Sequence, residues 1–200
     1  MFYRVAKIIC RLVLLLLRRW KVTGSTKLPA GQGMVVVANH VSYWDPVVVG
    51  CALDRKIFFM AKAELFKIPV LGFIITKLGA FPVQRQGADR SSIMKALELL
   101  KAGRLVGIFP EGTRSKSGKL LDPHLGAAML ALKGGVPLLP VAVSGTRGVL
   151  GQVKVVIGKP MYFKAHNPRK VSRSELQSVS EEIMREIGRL LAVVEKEVAV

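Results

Sequence analysis

Acidic residues are scarce in this chain. Its 200 residues hold 13 aspartates and glutamates against 31 lysines and arginines, a formal charge of +18. Such a field draws anionic partners: nucleic acid, anionic lipid, a phosphorylated substrate or an acidic protein. Cysteine is scarcer still. Cys10 and Cys51 form no CxxC and no metal-ligand spacing, so no disulfide framework is expected, and both read as small hydrophobes in a reducing cytoplasm. Aromatics reach only 6% and do not interleave with basic residues as in stacking platforms, so no nucleic acid is expected as a partner. There is no GxSxG elbow, and Gly31-Gln32-Gly33 lacks the third glycine of a dinucleotide fingerprint. No repeat, long linker or low-complexity tract appears. With half its residues hydrophobic, the chain can build one sizeable core.

The charge is unevenly spread. Residues 1–44 carry seven basic residues and no acidic one, whereas 172–197 carry four basic and six acidic. Charge is richest where the chain is most apolar, which points to a membrane surface. In the run 8–17, Arg11 breaks the apolar sequence, and Arg4, Lys7, Arg11 and Arg18 fall on one helical stripe. The apolar part spans about 20 Å of helix against about 30 Å of hydrocarbon. An amphipathic helix lying in the interface avoids both the short length and a mid-bilayer arginine, with Trp20 and Arg18-Arg19 at headgroup level. Tilted insertion, packing on the body, and a signal peptide are the alternatives. The last is opposed by Arg-Arg-Trp-Lys where small residues should stand. The expected organisation is an interfacial anchor over 1–24 and an α/β domain over 25–200, peripheral or monotopic at the cytoplasmic face of the cell membrane.

In the body, apolar β-rich runs at 34–38, 57–61, 80–83, 105–109, 138–144 and 153–157 alternate with helical patterns at 46–53, 70–77, 89–102, 125–133 and 172–197. This predicts an α/β fold, a single domain whose mostly parallel central sheet is covered by helices. Ser172 and Glu175 have capping-box spacing at the start of the last helix.

The chemistry clusters after strands. Asn39-His40-Val41-Ser42-Tyr43-Trp44-Asp45-Pro46 follows the run 34–38. His40 and Asp45 suit a general base and its orienting carboxylate. Proline at 46 places Asp45 at a helix N-cap and His40 in the loop before it, where the two side chains can converge. A cap and a packed histidine account for the same residues. Ser42 reads as a local hydrogen-bonding residue rather than a nucleophile. A second segment, from Phe109-Pro110-Glu111-Gly112-Thr113-Arg114-Ser115 to Gly118-Lys119, suits an anionic group at the sheet's carboxyl edge. It fails the P-loop pattern in its spacing and in Leu120, which lacks a hydroxyl for magnesium. Arg85 and Lys62 follow other strands and, with Arg114, could form a phosphate cradle. His124 and His166 have no evident carboxylate partner in sequence.

Four ordered blocks resemble the glycerolipid acyltransferases typified by 1-acyl-sn-glycerol-3-phosphate acyltransferase. They are Asn39-His40-x-x-x-x-Asp45, Gly79-Ala80-Phe81-Pro82-Val83-Gln84-Arg85, Phe109 to Ser115, and Val136-Pro137-Leu138-Leu139-Pro140-Val141. The second departs from the family at Pro82 and Gln84 while keeping its arginine. The resemblance implies transfer of a fatty acyl group from a thioester to the hydroxyl of lysophosphatidic acid, with glycerol 3-phosphate or another lyso-lipid as the alternative acceptor. A non-catalytic membrane-binding module is the alternative of another class. It further implies His40 as base, Asp45 orienting it, Asn39 and Ser42 supporting the motif, and Lys62, Arg85, Glu111, Gly112, Thr113 and Arg114 at the acceptor. It implies no metal and no bound cofactor. Acyl-CoA or acyl carrier protein would be the co-substrate and an anionic membrane the working surface. Oligomeric state stays open.

Overall fold

The computed structural model describes residues 1–84, 89–148, 151–167 and 170–196. Among these residues seven strands form one sheet in the order β1-β7-β6-β2-β5-β3-β4. They are β1 (Lys21–Thr23), β2 (Met34–Ala38), β3 (Ile57–Lys62), β4 (Phe81–Val83), β5 (Leu105–Ile108), β6 (Leu138–Ser144) and β7 (Lys154–Ile157). Every pairing is parallel except β6 with β7. The helices are α1 (Phe2–Arg18), α2 (Asp45–Ala52), α3 (Pro69–Leu78), α4 (Arg90–Lys101), α5 (Gly126–Gly134) and α6 (Arg173–Lys196), with a 3-10 turn at Ala63–Lys67. The α/β architecture is the one the alternating pattern predicts. Strand β1 and the 3-10 turn were not expected, and β1 draws the boundary anticipated at residue 24 into the sheet itself.

Strand β2 is buried along its whole length because both faces are covered. Met34, Val36 and Ala38 pack with Leu14 of α1 and with Val48, Val49 and Ala52 of α2. Val35 and Val37 face the opposite core, with Ala96 and Leu100 of α4, Ala127 and Leu130 of α5, and Ile183 and Ile187 of α6. Alternate side chains of one strand thus serve two cores, as a sheet's period of two requires. Strands β6, β2 and β5 lie side by side and parallel, so the loops leaving them open on one edge.

Helix α1 is amphipathic, as expected, and packs on the body along one side. Its basic stripe, apart from exposed Arg4, faces the protein. Arg11 donates through Nε and Nη2 to the Cys51 carbonyl at 2.9 and 2.7 Å. Lys7 Nζ donates to the Leu53 carbonyl. These are carbonyls at the carboxyl end of α2, where cations complement the helix dipole. Arg18 is buried, and Trp20 packs on the core beneath Arg11, so neither lies at headgroup level. The outer face carries Val5, Ile8, Ile9, Leu12, Leu15, Leu16 and Leu17, all exposed. Helix α3 packs against α1 and exposes Val70, Leu71, Phe73 and Ile74. Among the described residues no helix is long and apolar enough to cross a membrane.

Candidate active site

The loop between β2 and α2 closes on the carboxylate of Asp45. This side chain is fully buried and the His40 side chain is 13% exposed. His40 Nδ1 lies 2.8 Å from Asp45 Oδ2. The same oxygen accepts the backbone N–H groups of Val41 and Ser42, each at 2.7 Å. Oδ1 accepts the Thr146 hydroxyl at 2.5 Å. A buried carboxylate without partners would be strongly disfavoured, and these donors supply its compensation. The helix begins at Asp45, one residue earlier than expected, and Trp44 is the N-cap. Asp45 therefore does not cap helical N–H groups. Its carboxylate turns back over the loop, clasping the two amides that follow His40.

With Nδ1 donating to a carboxylate, the lone pair of the neutral ring lies on Nε2. Among the described residues no hydrogen-bond partner occupies Nε2. The ring is stacked on Phe109 with centroids 4.1 Å apart. Asn39 exchanges two hydrogen bonds with the Val143 backbone at 2.9 and 2.8 Å, fastening the loop to β6. The Ser42 hydroxyl accepts the Trp44 N–H at 3.2 Å, a local turn contact.

The loop after β5 supplies the other half. Glu111 is buried. Its Oε1 accepts the His40 N–H at 2.6 Å and its Oε2 accepts the Leu121 N–H at 3.0 Å. Burial pushes its pKa above the ordinary carboxylate value, while the two amides oppose that shift. Glu111 thus clamps two loops together, and among the described residues Arg114 bonds Tyr43 rather than Glu111. Gly112 has φ +64°, and a Cβ there would come within 2.4 Å of the His124 ring. The position demands glycine for conformation and space. Thr113 and Arg114 are exposed on the same turn. Arg114 Cζ lies 3.5 Å from the Tyr43 ring centroid, and Nη2 donates to the Tyr43 hydroxyl at 2.9 Å. The planar guanidinium is held while its remaining donors stay open to solvent.

The structure thus unites His40, Asp45, Asn39, Glu111 and Arg114. It does not bring Lys62 to them: that ammonium is exposed and paired with Glu64 at 3.2 Å. Arg85 lies outside the described residues. His166, read as unpartnered, lies 3.6 Å from Glu175. Sequence reasoning missed Tyr43, Phe109 and Thr146. Thr146 follows β6, so the strand-end logic that found the other loops could have found it. Beside the dyad, Met60, Val83, Ile108, Phe109, Pro110 and His124 line a small, largely apolar cleft.

The family model for Acyltransferase matches residues 19–144, a span holding the dyad, the Glu111 clamp and Arg114. The chain belongs to the acyltransferase family. This acyltransferase is 35% identical over 178 residues to the 1-acyl-sn-glycerol-3-phosphate acyltransferase of Bacillus subtilis, covering 85% of this chain and 87% of that one. It is 37% identical over 117 residues to the lyso-ornithine lipid O-acyltransferase of Pseudomonas aeruginosa, spanning 58% of this chain but only 45% of that protein's length. The crystal structure of the 1-acyl-sn-glycerophosphate acyltransferase PlsC from Thermotoga maritima superposes with a TM-score of 0.73 at 32% identity, covering 95% of this chain and 80% of that one.

Proposed function

We propose that this acyltransferase moves a fatty acyl group from a thioester to the free hydroxyl of 1-acyl-sn-glycerol-3-phosphate, giving phosphatidic acid. The single observation that carries the reading is His40 with Nδ1 on Asp45 and Nε2 open. Nε2 takes the acceptor's hydroxyl proton as that oxygen attacks the thioester carbonyl. Asp45 fixes the tautomer and stabilises the imidazolium. The tetrahedral intermediate collapses, the C–S bond breaks, and the departing thiolate receives the proton from Nε2. No acyl-enzyme intermediate forms, in keeping with the His40 ring bonding no serine or cysteine among the described residues. Acyl-CoA or acyl carrier protein is the donor and no bound cofactor takes part.

Arg114 holds the acceptor phosphate, aimed by Tyr43. Arg85 is a second phosphate ligand on the ground of its sequence block alone. The enzyme works at the cytoplasmic face of an anionic membrane, onto which the joint apolar face of α1 and α3 docks. Exposed Arg4, Arg19, Lys67 and Lys77 flank that face for headgroup contact.

A second reading keeps the chemistry and changes the acceptor to another lyso-lipid, favoured by the likeness to the lyso-ornithine lipid enzyme. A donor-by-acceptor matrix separates the two. Purified enzyme is given acyl-CoA or acyl carrier protein with lysophosphatidate, glycerol 3-phosphate or lyso-ornithine lipid. Lysophosphatidate should be the preferred acceptor, and no transfer to it would overturn the first reading.

A further inference from the structure

The turn after β6 is built around an arginine from the amino-terminal helix. Arg18, the last residue of α1, is 4% exposed. Its guanidinium donates to the carbonyls of Gly145 at 2.6 Å, Gly148 at 3.1 Å and Gly151 at 3.4 Å. Carbonyls, rather than a carboxylate, surround this buried cation among the described residues. The glycines are required by the turn itself. Gly145 has φ +73°, and a Cβ there would stand 1.8 Å from the Gln152 carbonyl oxygen. The Val153 N–H in turn donates to the Arg18 carbonyl at 2.9 Å, closing the turn on the helix end.

The residue after Gly145 is Thr146, fully buried, whose hydroxyl donates to Asp45 Oδ1. The three other hydrogen bonds of this carboxylate among the described residues all fall on Oδ2. Thr146 is thus the sole hydrogen-bond donor to Oδ1 among the described residues. Without the hydroxyl, a buried oxygen loses its partner, and the carboxylate can relieve this only by rotating away from His40. Neither Arg18 nor Thr146 lies in the four sequence blocks.

We propose that Thr146 is a positioning residue for the His40–Asp45 pair, and that Arg18 positions Thr146 by fixing the glycine turn. The helix that presents an apolar face outward therefore ends in a residue that supports the dyad. This inference rests on His40 serving as the base. Arg18 and Thr146 touch no reacting atom; they act through Asp45.

The test is steady-state kinetics with lysophosphatidate and acyl-CoA on the full chain carrying T146V, T146S, R18K, R18K/T146V or H40A, each with a thermal melt. T146V should lower kcat about tenfold or more at little changed KM for either substrate, a loss of the size that misalignment produces. T146S, which keeps the hydroxyl, should recover most of it. R18K should fall similarly, and the double variant should lie within about twofold of T146V, because both changes act on one contact. Should R18K fail to fold, R18Q takes its place. Wild-type kcat in T146V with H40A inactive would overturn the inference while leaving the base intact. T146S as slow as T146V would assign the effect to packing rather than to the hydroxyl, and would also overturn it. Additive losses would remove Arg18 from the arrangement. Activity retained in H40A would instead refute the base assignment itself.

Discussion

Glu111 accepts the backbone N–H of His40 at 2.6 Å, joining two sequence blocks 71 residues apart. Its other oxygen accepts the Leu121 N–H, so both carboxylate oxygens meet donors. A glutamine would place an amide NH2 against one of those N–H groups. Glu111→Gln should cost about 1–3 kcal/mol of stability, the penalty of an unsatisfied buried group. It should also lower kcat more than acceptor KM, because it displaces the histidine rather than the substrate. Melting curves and steady-state kinetics check this, and a pure rise in acceptor KM would restore Glu111 to the acceptor site.

The Arg114 guanidinium carbon sits 3.5 Å from the Tyr43 ring centroid. Arg114→Lys keeps the charge but loses the planar fork of donors. It should raise KM for lysophosphatidate about tenfold, in line with one lost charge-assisted hydrogen bond. Tyr43→Ala should follow in the same direction with a smaller effect, and Tyr43→Phe, which keeps the ring, smaller still. An unchanged KM in Arg114→Lys would exclude this residue from phosphate binding.

The outward face of α1 and α3 can be altered without touching the body. Leu16 is 79% exposed and Phe73 is 61% exposed. Inserting one such side chain into an apolar phase is worth about 1.5–3 kcal/mol. Leu16→Glu and Phe73→Glu should each weaken binding to anionic phospholipid vesicles by about tenfold or more, with the melting temperature unchanged. Cosedimentation measures this. Deleting residues 1–20 is a different experiment, because it removes buried Leu14 and Arg18 and so damages the fold.

The capping box of α6 gives an acid-range prediction. The Ser172 hydroxyl and amide, with the His166 amide, hold Glu175 down from 4.5 to about 2. A depressed folded value means that its stabilisation is fully present above pH 4.5 and is lost as pH falls toward 2. Glu175→Gln should therefore melt below wild type at pH 6, and the gap should close near pH 2. Melts followed by circular dichroism at both pH values test it.

Much of the fold was legible because β2 and β6, buried on both faces, read as unbroken apolar runs. The strand-end loops then pointed to one edge and brought His40, Asp45 and Glu111 into a single site. Strand β1 was not legible because an exposed and two half-buried edge residues carry no pattern. The orientation of α1 was not legible for a deeper reason. Periodicity shows that Lys7, Arg11 and Arg18 share a face, but not which face turns inward. That depended on where the carbonyls at the end of α2 and those of Gly145, Gly148 and Gly151 lie. Thr146 stands at a strand end, which marks its place at the site edge, but its partner Asp45, 101 residues away, is not legible locally.

The proposed base is His40 Nε2, which would take the acceptor's proton. The direct measurement is acyl transfer from acyl-CoA to lysophosphatidate by His40→Ala enzyme, with a melting curve to verify the fold. Activity should fall at least ~100-fold, the usual contribution of a positioned general base, with the fold and vesicle binding intact. A folded His40→Ala enzyme working within a few-fold of wild type would contradict the account.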